Sequence, residues 1–276
     1  MPRSNGGLKM LPDFEMIVHK FPEGEDITII PIADVHLGAR ECMEQEFIQF
    51  IQTVAKTPNT YICLLGDLLN NAVKSSVSNI YEEMYRPSEA KKMMAKILEP
   101  ARDRILFSVT GNHERRSSKE VDADLNADIM CKLDLEHLHR ENVAFVKLQF
   151  GEQDRKSGSR LSGEKRPCYT IVGMHGSSSG GLTGASINKN ERMAYAIDNC
   201  DCMIVGHSHR PAVTQPGKVY IDTRNNQVKI KPFKVITATS WLNWGGYSAQ
   251  KQLTPTTHAL QTLTLRGDRK EMVVTM

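Results

Sequence analysis

"ILFSVTGNHERR" (residues 105–116) runs through a short apolar stretch straight into Gly111, Asn112, His113 and Glu114. The unbroken apolar run predicts a strand covered on both faces, the pattern of a parallel sheet rather than of a half-exposed one. Setting a neutral amide beside an imidazole where that strand stops suggests something at the strand's end that needs both.

The same texture recurs along the chain. "FEMIVHK" (14–20), "ITIIPIAD" (27–34), "YICLLGD" (61–67), "VAFVKLQF" (143–150), "YTIVGMHG" (169–176) and "CMIVGHS" (202–208) are all of strand length. Between them lie helical patterns. "ECMEQEFIQFIQTVAK" (41–56) places Phe47, Ile48, Ile51 and Val54 at helical spacing, and "SEAKKMMAKILEP" (88–100) is expected to start at a Ser88 cap and stop at Pro100. "DADLNADIMCKL" (122–133) and "SINKNERMAYAID" (186–198) read similarly. This alternation predicts an α/β layered fold. After residue 215 the pattern turns to short strands, "KVYIDT", "QVKIKPFKVITATS", "HALQTLTL" and "EMVVT", the last two joined as a hairpin by "RGDRK". They are expected to form a second, more antiparallel sheet on the same core, giving one domain over 1–276. The basic, Gly/Ser-rich segment 151–167 reads as a mobile hairpin tip.

Bulk properties exclude several classes. The 276 residues carry 35 basic and 32 acidic side chains, a net charge of +3, so no global field demands a nucleic acid or a membrane. No apolar run approaches the roughly 20 residues that span a bilayer. The N-terminal "MPRSNGGLKMLPDF" has no apolar signal region. Six scattered cysteines fit reduced thiols in a cytoplasmic protein, and Cys200 and Cys202 lack the spacing of a structural zinc site.

Five strand ends carry metal-ligand types: Asp34 with His36, Asp67, Asn112 with His113, His175, and His207 with His209. In α/β sheets, ligands bind beyond the carboxyl ends of the strands. Setting His113 aside, two Asp, one Asn and four His give seven oxygen and nitrogen donors without sulfur. That set suits manganese, zinc, iron or nickel, and is about right for two ions sharing a carboxylate. Such a pair polarises a phosphoryl oxygen and lowers the pKa of a water between the ions, giving a hydroxide nucleophile at neutral pH. The spare imidazole of His113 is placed to protonate the leaving oxygen.

Taken together, "DVHLG", "GDLLN", "GNHE", "MHG" and "GHSH" resemble, in order and context, the calcineurin-like metallophosphoesterases, over roughly residues 27–245. The resemblance implies a two-sheet β sandwich flanked by helices, a four-layer α-β-β-α arrangement. It implies that Asp34, His36, Asp67 and His209 bind one divalent ion, most often manganese. Asp67, Asn112, His175 and His207 would bind the other, with Asp67 bridging and His113 catalytic. "DVHLG" is similar to the nuclease subunit of the double-strand-break repair complex, while the length matches compact stand-alone phosphoesterases of bacteria and phages. One departure stands out. Many relatives place an Asp three residues after the first to orient the catalytic histidine, and here Asn70 stands there. An amide holds a ring without adding negative charge, which predicts a weaker acid at His113 and a preference for good leaving groups.

Arg40, Arg115 with Arg116, and Arg210 follow three of the motifs and are candidates to clamp phosphate, Arg115 first as the nearest in sequence to His113. The Gly/Ser-rich 176–190 could hold an anion at a helix start, though a mobile loop is the commoner use. "WLNWGGY" (241–247) could stack bases, though packing is the commoner fate of tryptophan. His19, His137, His139 and His258 fit no motif and read as bystanders, His137 and His139 as surface residues of a helix. The expected activity is phosphodiester hydrolysis, with a nuclease favoured. A phosphomonoesterase on nucleotide or phosphoprotein, and a non-catalytic scaffold, are the alternatives. Loops 70–100, 151–167 and 176–190 are expected to choose the substrate.

Overall fold

The computed structural model describes residues 12–74, 76, 79–151, 166–177 and 183–276. In chain order the elements of the first half are β1 (Ile17–Phe21), β2 (Ile27–Ile32), α1 (Glu44–Lys56), β3 (Thr60–Leu64), α2 (Pro87–Leu98), β4 (Ile105–Val109), α3 (Glu114–Val121), α4 (Leu125–Lys132), β5 (His139–Arg140) and β6 (Val143–Phe150). The second half adds β7 (Cys168–Met174), α5 (Thr183–Tyr195), β8 (Cys202–Val205), β9 (Ala212–Thr214), β10 (Gly217–Asp222), β11 (Gln227–Pro232), β12 (Lys234–Thr237), α6 (Gly246–Gln250), β13 (Thr262–Leu265) and β14 (Met272–Thr275). Apart from Gly151, Arg166 and Pro167, the hairpin tip expected at 151–167 lies outside the described residues, as does 178–182 of the Gly/Ser-rich loop.

Two six-stranded sheets result. One runs β1-β6-β7-β8-β12-β9 and the other β14-β13-β2-β3-β4-β5. Strands β2, β3, β4 and β5 are mutually parallel, and so are β7, β8 and β12. Continuous burial along β4 and β8 matches the unbroken apolar runs that predicted them. The main core lies between the sheets, where Phe107 of β4 packs on Gly173 of β7. A Cβ at Gly173 would sit 2.1 Å from the Phe107 ring, so only glycine lets the sheets approach this closely. Helices α1 and α4 bury apolar side chains such as Phe47 and Ile129 against the β2–β5 sheet, and α2, with Met94 buried, packs on α1 and α4.

Two expectations need correction, and one helix was not foreseen. Of the strands after 215, only β10 and β11 pair apart from the two large sheets, and the rest join those sheets. Strand β12 joins β8 in parallel, β9 caps that edge, and the β13–β14 hairpin pairs with β2 to complete the other sheet. Each finds an open edge on a sheet begun earlier in the chain, which satisfies more backbone groups than a separate sheet would. Helix α2 begins at Pro87 rather than at a Ser88 cap, with the Glu89 carboxylate accepting from the Arg86 backbone N–H at 3.1 Å. Helix α3, "ERRSSKEV", has no apolar periodicity to reveal it, since only Glu114 and Ser117 are buried.

Only β10 and β11 stand outside both sheets, as a two-stranded ribbon among the described residues. Its register pairs Val219 with Ile230 and Ile221 with Val228, which puts the four on one face, each 68–74% exposed. Lys218 anchors the ribbon by donating to the carbonyls of Ala194 and Ile197 at 2.9 and 2.5 Å. Among the described residues, no helix is long and apolar enough to cross a membrane.

Candidate metal centre

Strands β2, β3 and β4 of one sheet and β7 and β8 of the other end at a common crevice. Just beyond those ends the backbone makes sharp turns. Asp34, His36, Asp67, His207 and His209 all adopt left-handed φ values, between 49° and 68°. Each costs a non-glycine residue on the order of 1–2 kcal/mol. Five in one place mark a site where geometry outweighs local comfort.

Backbone hydrogen bonds lock the turns together. Asp34 N–H donates to Gly66 O at 3.1 Å and His36 N–H to Asp67 O at 2.9 Å, so the first two motifs run side by side. His113 N–H donates to Asp67 Oδ1 and His207 N–H to Asp34 Oδ2, both at 2.8 Å. Each carboxylate therefore spends one oxygen on the backbone and turns the other inward.

The inward atoms converge. His209 Nε2 lies 3.4 Å from Asp34 Oδ1 and 3.3 Å from His36 Nε2. His36 Nε2 is 3.9 Å from both Asp34 Oδ1 and Asp67 Oδ2. On the other side, His175 Nε2 lies 2.8 Å from Asn112 Oδ1, 3.1 Å from His207 Nδ1 and 3.3 Å from Asp67 Oδ2. The structure thus brings all seven predicted donors to one pocket, with Asp67 Oδ2 between two groups. Asp34, His36 and His209 form one cluster able to hold a metal ion, and Asp67, His175 and His207 another. His113 Nε2 stands 3.8 Å from Asp67 Oδ2 at the margin of both.

These residues fit cations. Asp34 Oδ1 and His36 Nδ1 are buried without a hydrogen-bond partner among the described residues, an expensive arrangement unless something else satisfies the carboxylate. The His175 Nδ1–H donates to Leu65 O at 2.7 Å, which leaves Nε2 as the inward lone pair. Burial works to raise the Asp67 carboxyl, but the fields of His175, His113 and His36 outweigh it and hold Asp67 well below the usual range. Burial likewise opposes charge on His175, yet Asp67 lifts it to about 9. Two buried carboxylates need positive charge beside them, and a divalent ion would take the place of that proton.

Three placements differ from the sequence reading. The Asn70 side chain does not touch His113. Its Nδ2 donates to Glu83 Oε1 at 2.7 Å, and the ring is held instead by the Asn70 backbone carbonyl, 2.6 Å from His113 Nδ1. Arg115 turns away, donating to Asn142 Oδ1 and Glu141 O at 2.9 and 2.8 Å, whereas Arg116 lies 2.9 Å from His113 Nε2. On a helix, the residue three positions on faces the starting residue and the second does not, so sequence proximity misled. Arg210 donates to Thr254 Oγ1 at 2.8 Å, and Arg40 is exposed. His113 itself is held below its usual pKa, by burial first and by Arg116 against the opposing field of Asp67. Burial and Arg116, not the Asn70 amide, set that direction, which leaves less imidazolium at neutral pH while making each imidazolium the stronger acid.

Of the bystanders, His139 lies on β5 rather than a helix, its ring half-buried 3.3 Å from Asp124 Oδ2. His258 donates from Nδ1 to Ser240 O at 2.8 Å and packs on Trp241, which is buried, while Trp244 is 53% exposed.

One residue escaped the sequence reading altogether. Glu114 is fully buried, and its carboxylate accepts from the backbone N–H groups of Asp67, Leu69 and Gly111, each at 3.0 Å. It clamps the turn after β3 to the turn after β4. Burial, then the charge of Asp67, push its pKa up to about 7. Its only signal was a carboxylate next to His113 at the start of a helix. Gly111 makes the contact possible, since a Cβ there would lie 2.1 Å from Asp67 Oδ1.

A two-sheet sandwich with paired His/Asp clusters at its strand ends is the frame of a metal-dependent phosphoester hydrolase. The family model of the calcineurin-like phosphoesterases matches residues 27–211, and the chain belongs to that family. A search of curated proteins found no match. Among solved structures, the chain is similar to a conserved uncharacterized protein of Streptococcus pneumoniae described as a predicted phosphoesterase, at 12% identity and TM-score 0.36, covering 91% of this chain and 99% of the other. It is also similar to the calcineurin-like phosphoesterase YfkN of Bacillus subtilis, at 14% identity and TM-score 0.38, covering 92% and 91%.

Proposed function

We propose that this chain hydrolyses phosphodiesters and that its substrate is a nucleotide or nucleic acid. The reading rests on one observation: the donor atoms of Asp34, His36, Asp67, Asn112, His175, His207 and His209 open onto one pocket with His113 at its margin. We assign Asp34, His36, Asp67 and His209 to one ion and Asp67, Asn112, His175 and His207 to the other, with manganese the expected metal. When bound, the ions supply Lewis acidity and a water acidified enough to attack phosphorus near neutral pH.

The chain's own groups do the positioning. The His113 and His207 backbone N–H groups orient the two carboxylates, and the Leu65 carbonyl sets the His175 ring. The Asn70 carbonyl holds His113 through Nδ1, so Nε2 is the atom that passes a proton to the leaving oxygen. Arg116, beside that nitrogen, offers a cation to a phosphate oxygen. A diester is favoured by the similarity of the "DVHLG" motif to repair nucleases. Because one core continues between both sheets, we take the chain as a single domain.

The test is hydrolysis of bis-p-nitrophenyl phosphate and p-nitrophenyl phosphate by manganese-reconstituted protein. Faster turnover of the diester is expected. Monoester hydrolysis alone would replace the reading with a phosphomonoesterase, and silence on both by metal-loaded protein would leave a scaffold.

A further inference from the structure

A cavity of about 700 Å³ opens beside the centre, and Asn112 and His175 line both. Helix α5 supplies one wall through Lys189, Arg192 and Met193, while Met174 ends β7 and Met203 lies on β8. Arg115 completes the lining, its guanidinium pinned by Asn142 and Glu141. Lys189 Nζ donates to Ser177 Oγ, which also lines the space.

The lining is one-sided in charge. Arg115, Lys189 and Arg192 carry three cations, and no carboxylate lines the cavity among the described residues. Clustered like charges repel, and such a cleft concentrates anions. Met174 and Met193 add a soft apolar surface that accepts flat aromatic rings through sulfur contacts, with the buried Met203 behind them. The volume falls in the range of small-molecule sites. Cations and polarisable apolar surface next to a phosphorus-handling centre match one chemistry: an aromatic base carried on a phosphate of its own.

We propose that this cavity holds the nucleotide adjoining the scissile phosphorus, its own phosphate against Arg115, Lys189 and Arg192 and its base against Met174 and Met193. The assignment rests on the phosphodiesterase reading above and explains why Arg115 faces away from His113: it serves the neighbouring nucleotide rather than the reacting one. The nucleotide could belong to a small dinucleotide or to a strand.

Two measurements test it. Lys189 and Arg192 are exposed on α5, so Lys189→Glu with Arg192→Glu is expected to fold normally. Calorimetry of metal-free protein with thymidine 3′,5′-bisphosphate should show binding that the double variant weakens by about tenfold or more. Absent binding, or equal binding by both proteins, overturns the proposal. With manganese, thymidine 3′-phosphate 5′-(p-nitrophenyl phosphate) should exceed bis-p-nitrophenyl phosphate in kcat/KM by about tenfold, and the double variant should shrink that ratio. Equal values in the unaltered protein overturn the cavity assignment while leaving the catalytic reading intact. Inactivity on both esters contradicts the catalytic reading instead, and the calorimetry still decides the cavity. Stronger competition by oligothymidylate than by the bisphosphate would mark a strand as the source, and equal competition a free nucleotide; both support a nucleotide here.

Discussion

Asp67 is asked to do three things at once: accept from the His113 backbone, face His175, and face His36. No other donor sits between both clusters, which is why its neighbours matter so much. Asn70 was read as the orienting partner of His113, yet only its backbone carbonyl plays that part. Asn70→Ala should therefore leave the ring in place and lower kcat far less than His113→Ala, whose loss we expect at about 10²–10⁴-fold. Steady-state kinetics of the two variants on bis-p-nitrophenyl phosphate would decide it, and comparable losses would return the role to the amide. Glu114 makes the opposite case, a residue that motif reading passed over. In Glu114→Gln a single carbonyl oxygen must serve three backbone donors, and the new amide hydrogens face one of them. Relief of the repulsion from Asp67 offsets part of the damage, so a loss of about 1–2 kcal/mol is expected in urea unfolding.

At the scale of elements, the strands were legible because burial on both faces leaves long apolar runs, and β6 and β2 begin where the pattern placed them. Helix α3 was not legible, since a polar helix held by Glu114 and Ser117 has no stripe to read. Sheet membership was also hidden, because β12 looks alike whether it pairs with β8 or with a sheet of its own. Helix α4 shows what a cap contributes. The Asp124 carboxylate accepts from the N–H groups of Asn126 and Ala127 at 2.9 and 3.0 Å, and also contacts His139 and Thr110. Burial works to raise its pKa, but these hydrogen bonds prevail and depress it to about 2. A depressed carboxyl stabilises the fold above its unfolded pKa of roughly 4, and that contribution fades as pH falls towards 2. Asp124→Ala should cost about 1 kcal/mol at neutral pH. The gap between variant and parent should narrow between about pH 4 and pH 2, read from thermal unfolding at each pH.

For the whole molecule, the proposed metal centre predicts that metal and stability are coupled. Two sheets meet where the seven donors converge, so ions that bind the folded form and not the unfolded chain hold both sheets together. At an ion concentration about 100 times Kd, each site adds about 2.7 kcal/mol. Removing metal with a chelator should lower Tm by several degrees, and manganese should restore it in a concentration-dependent way. A Tm indifferent to chelator in protein shown to contain metal would mean that the donors are less engaged than their convergence indicates. That these seven side chains would gather was legible in the sequence, since strand ends announce themselves. Its internal wiring was not, because which arginine faces His113 depends on a helix that the sequence did not declare.

The β10–β11 ribbon has a practical consequence. Four branched aliphatic side chains held in water on a hairpin outside both large sheets are a surface that salting-out agents will drive out of solution first. Sulfate-rich buffers should therefore precipitate this protein early, and replacing Ile230 with lysine should delay that without touching the fold, because the position packs against nothing that the core depends on.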